Sequence, residues 1–217
     1  MDTGPPLAVR VWSELACFTR PEMKVERVSY PCMTPSAARG ILEAVFWKPE
    51  FTWRVREIEI LKPIRNFSIL RNEVKHKASA RSARGGAILL ADEERTQRHT
   101  LALRDVDYVI HADVELADHA RGEDPAKYRD QFRRRVSRGR CFRQPYMGCR
   151  EFSCFFAEPD GTEAWPIDEH VGPMLLDIDY STDGSGRGVP VFFDAVIDGG
   201  RLVVPSAPVG QGGGRDA

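Results

Sequence analysis

The segment LRDVDYVIHADVEL, residues 103–116, alternates apolar and polar side chains, with Val106, Tyr108, Ile110, Ala112, Val114 and Leu116 on one face. A period of two reads as a half-buried antiparallel strand, and it commits the chain to a sheet covered on one side only. Two further signals frame that sheet. Thr34-Pro35 and Asp124-Pro125 each place a capping side chain before a proline suited to the first helical position. The first predicts a helix with Ala38, Ile41, Leu42 and Val45 on its apolar face, ended by Lys48-Pro49. The second predicts a helix to about Arg138, with the stripe Tyr128, Phe132, Val136 and a stop at Gly139.

Strands are expected at LAVRVWSELACF (7–18), at FTWRVREIEILK (51–62), whose phase changes near Glu57 as at a bulge, and at EFSCFFA (151–157). The order is then strand, helix, strand, strand, helix, strand. This βαββαβ order predicts an α+β fold of the ferredoxin-like type, the arrangement also used by RNA-recognition modules. MLLDIDY (174–180), VPVFFDAVI (189–197) and RLVVP (201–205) add a strand-only unit, with Asp198-Gly199-Gly200 as a hairpin turn. The expected division is a ferredoxin-like domain over 1–158, a small antiparallel β-sheet domain over 159–208, and a flexible tail over 209–217. Residues from about 66 to 99 show little periodicity and read as a long, mobile, basic loop.

Charge is segregated rather than balanced. The net charge is only −1, yet Arg121 to Arg150 holds ten basic residues against Glu123, Asp124 and Asp130. Seven more, among them Lys75 and Lys77, lie between Lys62 and Arg84 with Glu73 as the one acid. Glu151 to Asp198 carries eleven acids opposed by Arg187 alone. Separate basic runs suit a polyanionic partner. Hydrophobic content of 42% excludes a wholly disordered chain. No apolar run approaches membrane-spanning length and the N-terminus lacks a leader pattern, so a cytoplasmic location is expected. Five irregularly spaced cysteines point to thiols in a reducing compartment, and no histidine spacing supports a metal centre. Asp177 and Asp179 alternate on one strand and read as its solvent face rather than a cation site.

In the second helix Lys127 falls at the third helical position, against the dipole, where positive potential and free N–H groups could receive a phosphate. Glu123 and Asp124 are also available to pair with it. Beyond it, Arg133, Arg134, Arg138, Arg140 and Arg143 interleave with Phe142, Tyr146 and Phe152. Arginines for phosphates beside aromatics for bases are what single-stranded or looped RNA calls for. Phe152 reads as a core anchor, and Tyr146 is open to either role.

The stretches VWSELACFTRPEMKVERVSYPCMTPSAARGILEAVFWKPEFTW, LKPIRNFSILRNEV and GRCFRQPYMGCREF, with MLLDIDY downstream, resemble a CRISPR-associated family: the fifth Cas subunit family in its type I-C form. The resemblance is collinear from about residue 7 to 205. It implies a metal-independent endoribonuclease, without cofactor, that cuts the repeat hairpin of precursor CRISPR RNA. The implied chemistry is 2′-hydroxyl attack leaving a 2′,3′-cyclic phosphate, after which the protein stays on the 5′ handle within an interference complex. Positions that carry the chemistry in such proteins correspond here to Phe46, Lys127 and Tyr128. Phe46 cannot exchange a proton and, with Leu42, reads as core or a stacking surface. Tyr128 is a base at neutral pH only if Lys127 and the arginines depress its phenol; otherwise it is simply core. His76 or His99, in or beside the basic stretch, are alternative acid–base groups. A non-cleaving RNA-binding subunit of the same complex, or a duplex-DNA binder, would use the same cations.

Overall fold

Alternation in the first strand sets the inner and outer faces of the sheet. In β1 (Leu7–Ala16), Leu7, Val9 and Val11 are buried while Arg10 and Trp12 turn outward. The computed structural model describes residues 5–75, 79–86, 88, 90–180 and 188–206. In chain order the further elements are β2 (Arg27–Val28), α1 (Pro35–Val45), β3 (Phe51–Ile60), β4 (Asn66–Val74), α2 (Ala80–Arg84), β5 (Arg95–Leu116), α3 (Pro125–Ser137), β6 (Phe155–Ala157), β7 (Glu169–Tyr180), β8 (Gly188–Asp198) and β9 (Arg201–Val203). They build a mixed α/β fold on one curled, mostly antiparallel sheet ordered β6-β1-β5-β3-β9-β8-β7.

Both helices begin where the capping signals place them. Thr34 Oγ1 accepts from the Ala37 N–H at 3.3 Å, and Asp124 Oδ1 accepts from the Ala126 N–H at 2.9 Å. In α1, Ile41, Leu42 and Val45 are buried, a contribution of about 1.5–3 kcal/mol for each side chain. Helix α3 buries Tyr128, Arg129, Phe132 and Val136. The core lies between these two helices and the inner faces of β1, β3 and β5. The register of β3 against β5 shifts between Val55 and Glu57, the bulge that the change of phase foretold.

The stretch read as a loop from 66 to 99 is largely paired. Strand β4 runs antiparallel to β5 from Asn66↔Leu103 to Val74↔Arg95, with the short α2 between them. Its sequence hides this because neither face of the arm is covered: every residue of β4 is exposed or half-buried. Without a buried face there is no period of two to read. His76 and Lys77 lie outside the described residues, as does the tail expected over 209–217.

The EFSCFFA strand is also shorter than expected, only Phe155–Ala157. The preceding residues fold back instead, with the Phe152 N–H donating to the Cys149 carbonyl and the Met147 N–H to the Phe152 carbonyl. Cys17, Cys32, Cys149 and Cys154 are buried free thiols, and Cys141 is half-buried.

After β6, residues 158–168 cross the outer face of the sheet. Arg10 binds Asp107 with contacts of 3.0 and 2.8 Å and also meets Asp160. The Trp165 N–H donates to the Ile60 carbonyl at 2.7 Å. The strap is locked at the β8–β9 turn, where Gly199 and Gly200 both have positive φ, as the Asp-Gly-Gly signal implied. A Cβ on Gly200 would lie 2.1 Å from the Trp165 carbonyl oxygen. Gly200→Ala should therefore lower stability by more than about 2 kcal/mol. Gly161→Ala, at a φ of +81° but in open space, should cost less. Thermal melts of the two variants beside the wild type check the difference.

Candidate functional site

The head of α3 is built from three pieces of chain that meet beside Phe51. Leu116, the last residue of β5, pairs with Phe51, and the Ala117 N–H donates to the Glu50 carbonyl at 2.8 Å. A 3-10 turn at Asp118–Ala120 follows, and the Glu123 N–H closes the next turn on the Ala120 carbonyl at 2.9 Å. Asp124 then caps α3. In this way Glu123, Lys127 and Tyr128 are brought to one end of the helix.

One carboxylate oxygen, Glu123 Oε2, receives both the Lys127 ammonium and the Tyr128 hydroxyl. The ammonium also lies 4.7 Å from the centre of the Tyr128 ring. The hydrogen bond from Lys127, then that from Tyr128, holds the Glu123 carboxyl below its usual range. In return Glu123 raises Lys127, so this ammonium stays charged.

Tyr128 behaves otherwise than a cation-depressed base would. Its ring is 1% exposed and packs 5.1 Å from Phe51. Burial first, then the hydrogen bond to Glu123, pushes the phenol up despite the opposing effect of Lys127. It is a protonated donor at neutral pH. Its ring belongs to the core and its hydroxyl to the site.

Phe46 is core as well, 1% exposed and 5.5 Å from Phe51. Its carbonyl accepts from Trp53 Nε1 at 2.8 Å, and the Arg135 guanidinium lies 5.3 Å from its ring centre. Trp53 in turn packs 4.7 Å from Phe132. The aromatic cluster thus fixes α3 against β3.

Along the exposed side of α3 the arginines differ in what they meet. Arg133 pairs with Asp130 at 3.1 Å. Arg134, Arg138 and Arg140 have no acidic partner among the described residues, and with Gln131, Gly139 and Cys141 they line a hollow of about 540 Å³. Arg143 follows, also exposed, and its N–H and that of Phe142 both reach the Ala44 carbonyl. Phe142 is 75% exposed and Trp47, at the same end of α1, is 53% exposed. Trp47 escaped sequence reasoning because it directly follows an apolar helix and looks like its continuation. Phe152 is a core residue, as expected, and Tyr146 is half-buried, bridged through its backbone to Ser153.

The structure does not bring the second basic run to this place. Lys75 sits on the β4–β5 arm, its N–H bound to the Glu94 carbonyl. His99 is on the same arm, opposite Leu70 and with its N–H on Glu26 Oε2 at 2.7 Å. It lies about 55 Å along β5 from Leu116 at the usual rise per residue. Part of that run is paired: Lys62 and Arg65 share Asp105, and Arg71 meets Glu73 and Glu151. Asp177, expected on a solvent face, makes a two-pronged ion pair with Arg39.

Glu57, Glu59 and His111 converge across β3 and β5 with donor atoms within 4.8 Å of one another, a set no sequence spacing signals. Arg201, 3.8 and 3.6 Å from the two carboxylates, and a 3.2 Å contact between His111 and Glu59 account for its charge.

A family model described as CRISPR-associated protein (Cas_Cas5), the Cas_Cas5d model, matches residues 6–204. The chain is 44% identical over 216 residues to a Thermus thermophilus protein named CRISPR pre-crRNA endoribonuclease Cas5d, covering 92% of this chain and 91% of the relative. A protein of the same name from Mannheimia succiniciproducens is 40% identical, over 92% of this chain and 94% of the relative. Among solved structures, one described as a CRISPR-associated protein superposes with a TM-score of 0.66 at 21% identity, covering 92% of this chain and 91% of that one, a likeness of fold. Among the described residues no helix is long and apolar enough to cross a membrane.

The geometry of α3 has measurable consequences. In an NMR titration the Glu123 carboxyl should ionise below about 4.3, the ordinary glutamate value, and Lys127→Met should return it towards that value. Phe132→Ala, which opens the aromatic cluster, should cost about 3–5 kcal/mol by denaturant unfolding. Arg134→Ala on the exposed face should change stability by less than about 0.5 kcal/mol.

Proposed function

The chain belongs to the Cas5d family of CRISPR-associated proteins, and from that premise we propose that it cuts the repeat hairpin of precursor CRISPR RNA. The observation that carries the reading is the placement of Lys127: a cation held charged at the head of a helix whose exposed Arg134 and Arg138 have no acidic partner among the described residues. The reaction is attack of a 2′-hydroxyl on the adjacent phosphate, giving a 2′,3′-cyclic phosphate without a metal. Lys127 faces the charge that develops on the phosphorane. Tyr128, a neutral donor anchored in the core, keeps Glu123 and hence Lys127 in place and completes the hydrogen-bonded chain through which a proton can move.

Arg134, Arg138, Arg140 and Arg143 hold backbone phosphates, with Arg133 at their margin. Exposed Phe142 and half-buried Tyr146 lie where unpaired bases can stack. Lys75, with Lys77, and the arm that carries Lys75 hold a more distant part of the RNA or a neighbouring subunit. The product remains bound by its 5′ handle within a type I-C interference complex in the cytoplasm. The fold suits this use as a ferredoxin-like module over about 1–158: its four strands β6-β1-β5-β3 run in the order fourth, first, third, second, each antiparallel to the next. Strands β7, β8 and β9 would then be the added β-sheet unit expected over 159–208.

A second reading keeps the same surface for a subunit that binds the handle without cutting it. The burial of Phe46 and the raised phenol of Tyr128 favour it. Duplex DNA is a third ligand that the arginines fit. Repeat hairpin RNA incubated with the protein in EDTA, beside RNA with a 2′-deoxy sugar at the cut site, separates these. We expect cleavage of the first RNA alone. Lys127→Ala should lower the rate by about 10²–10³ and leave binding near wild type. Tight binding with no cutting would establish the scaffold reading instead. Replacing Arg134, Arg138 and Arg140 together by Ala should weaken RNA binding. It should also flatten the salt dependence by about 0.7 log unit per log unit of salt for each phosphate no longer neutralised. An unchanged slope would remove these arginines from the interface.

A further inference from the structure

One stripe of α3 and its C-cap carries Lys127, Gln131, Arg134 and Arg138, at spacings of four, three and four residues. At 3.6 residues per turn these positions fall within about 60° of one another. Lys127 heads the stripe, and the other three line the hollow of about 540 Å³ with Arg135, Arg140 and Cys141. The hollow therefore lies on the face that carries Lys127, about 6–17 Å from it along the helix axis at the usual rise.

Its walls are fixed. The Arg138 and Arg140 N–H groups both donate to the Arg135 carbonyl, at 3.2 and 2.9 Å, and Gly139 between them turns the chain at a φ of +60°. Arg135 is held from behind: its guanidinium lies 5.3 Å from the Phe46 ring centre, and its Nη1 donates to the Val45 carbonyl at 3.4 Å. Beyond Cys141, the Phe142 N–H binds the Ala44 carbonyl at 2.8 Å and ties the far wall to α1. The volume falls within the range of about 300–1,000 Å³ common to sites that take a small molecule, and it is enough for one nucleotide.

The lining presents four arginines and a single amide. None of the four has an acidic partner among the described residues, and the half-buried Gln131 has no side-chain hydrogen bond among them. Guanidinium groups match phosphate oxygens. A neutral amide, with a donor beside an acceptor, matches a base edge instead. Its bidentate partner is adenine, through the amino group and the adjacent ring nitrogen. Guanine offers two acceptors there, N7 and O6, and would set one of them against the amide oxygen.

We propose that this hollow is a nucleotide subsite, in which Gln131 reads the base of one unpaired adenosine while Arg134, Arg138 and Arg140 hold its flanking phosphates. The inference rests on the reading of α3 as the RNA-holding face, and it is the same whether or not the RNA is cut. Arg135 forms the back wall and adds its charge. Because the stripe separates Gln131 from Lys127 by one turn, the adenosine lies within a few nucleotides of the phosphate at Lys127.

The test is binding of repeat hairpin RNA with a 2′-deoxy sugar at the cut site, followed by fluorescence anisotropy at fixed salt. Each unpaired position flanking the cut is replaced in turn by each of the four bases and by an abasic sugar. At one of these positions the wild type should bind adenine about tenfold more tightly than guanine or the abasic sugar. Gln131→Met keeps the length and helix propensity of the side chain without its amide. It should melt as the wild type does, bind the adenine and guanine RNAs alike, and keep the wild-type salt slope. Gln131→Ala should lose the same preference. Arg134→Ala should instead weaken every RNA equally and lower the salt slope. A wild-type preference kept by Gln131→Met, or no preference at any position in the wild type, would overturn this inference and leave RNA binding by the arginines standing. A wild-type protein that does not bind the hairpin RNA would overturn the reading of the surface and the subsite with it.

Discussion

Backbone pairing along β5 carries the structure. Its C-terminal half holds β1 on one side and β3 on the other, while its N-terminal half holds β4 and a short parallel contact from β2. A single strand of 22 residues thus belongs first to a two-stranded arm in solvent and then to the covered centre of a sheet. Where it ends matters as much as where it runs. Leu116 delivers the chain beside Phe51, and the turn that follows sets up Glu123 and the cap of α3. A one-residue slip in the register of β5 would invert its buried face and displace the whole head of that helix.

The aromatic cluster then converts sheet geometry into site geometry. Phe46, Phe51, Trp53, Tyr128 and Phe132 pack ring against ring with centroids 4.7 to 5.5 Å apart. A rigid core of this kind leaves α3 little freedom to rotate. Tyr128 passes that rigidity to the surface: its ring is fixed in the core and its hydroxyl holds the carboxylate that holds Lys127. Core and site are therefore two ends of one side chain. Tyr128 packs through its ring and binds Glu123 through its hydroxyl.

Charge follows a similar logic of distance along the chain against distance in space. Acids of the C-terminal third reach back to arginines far upstream: Asp160 to Arg10, Asp177 to Arg39, Glu151 to Arg71. These ion pairs cancel basic residues that look available in the linear sequence. Arg134, Arg138, Arg140 and Arg143 are among those left exposed and without an acidic partner among the described residues, three of them lining one hollow. A phosphate approaching that face meets cations whose field is not already spent on a protein carboxylate.

Much of this was legible before folding. Alternation and β-forming composition pointed to most strands of the covered sheet, the cap-and-proline pairs located the starts of α1 and α3 to the residue, and the Asp-Gly-Gly turn, the Glu57 bulge and the position of Lys127 were readable as local chemistry. Those features depend on residues within a turn or two of one another. The β4–β5 arm was not legible, because a ribbon solvated on both sides imposes no hydrophobic period. Nor was the difference between the two basic runs, since pairing of Arg71 with Glu151 closes a gap of 80 residues. The sharing of Glu123 by Lys127 and Tyr128 depends on the way β5 hands the chain to α3. The sequence by itself determined which segments are strands and helices and where positive charge is made. Only the tertiary structure decided which of that charge stays free, because neutralisation is set by distance in space.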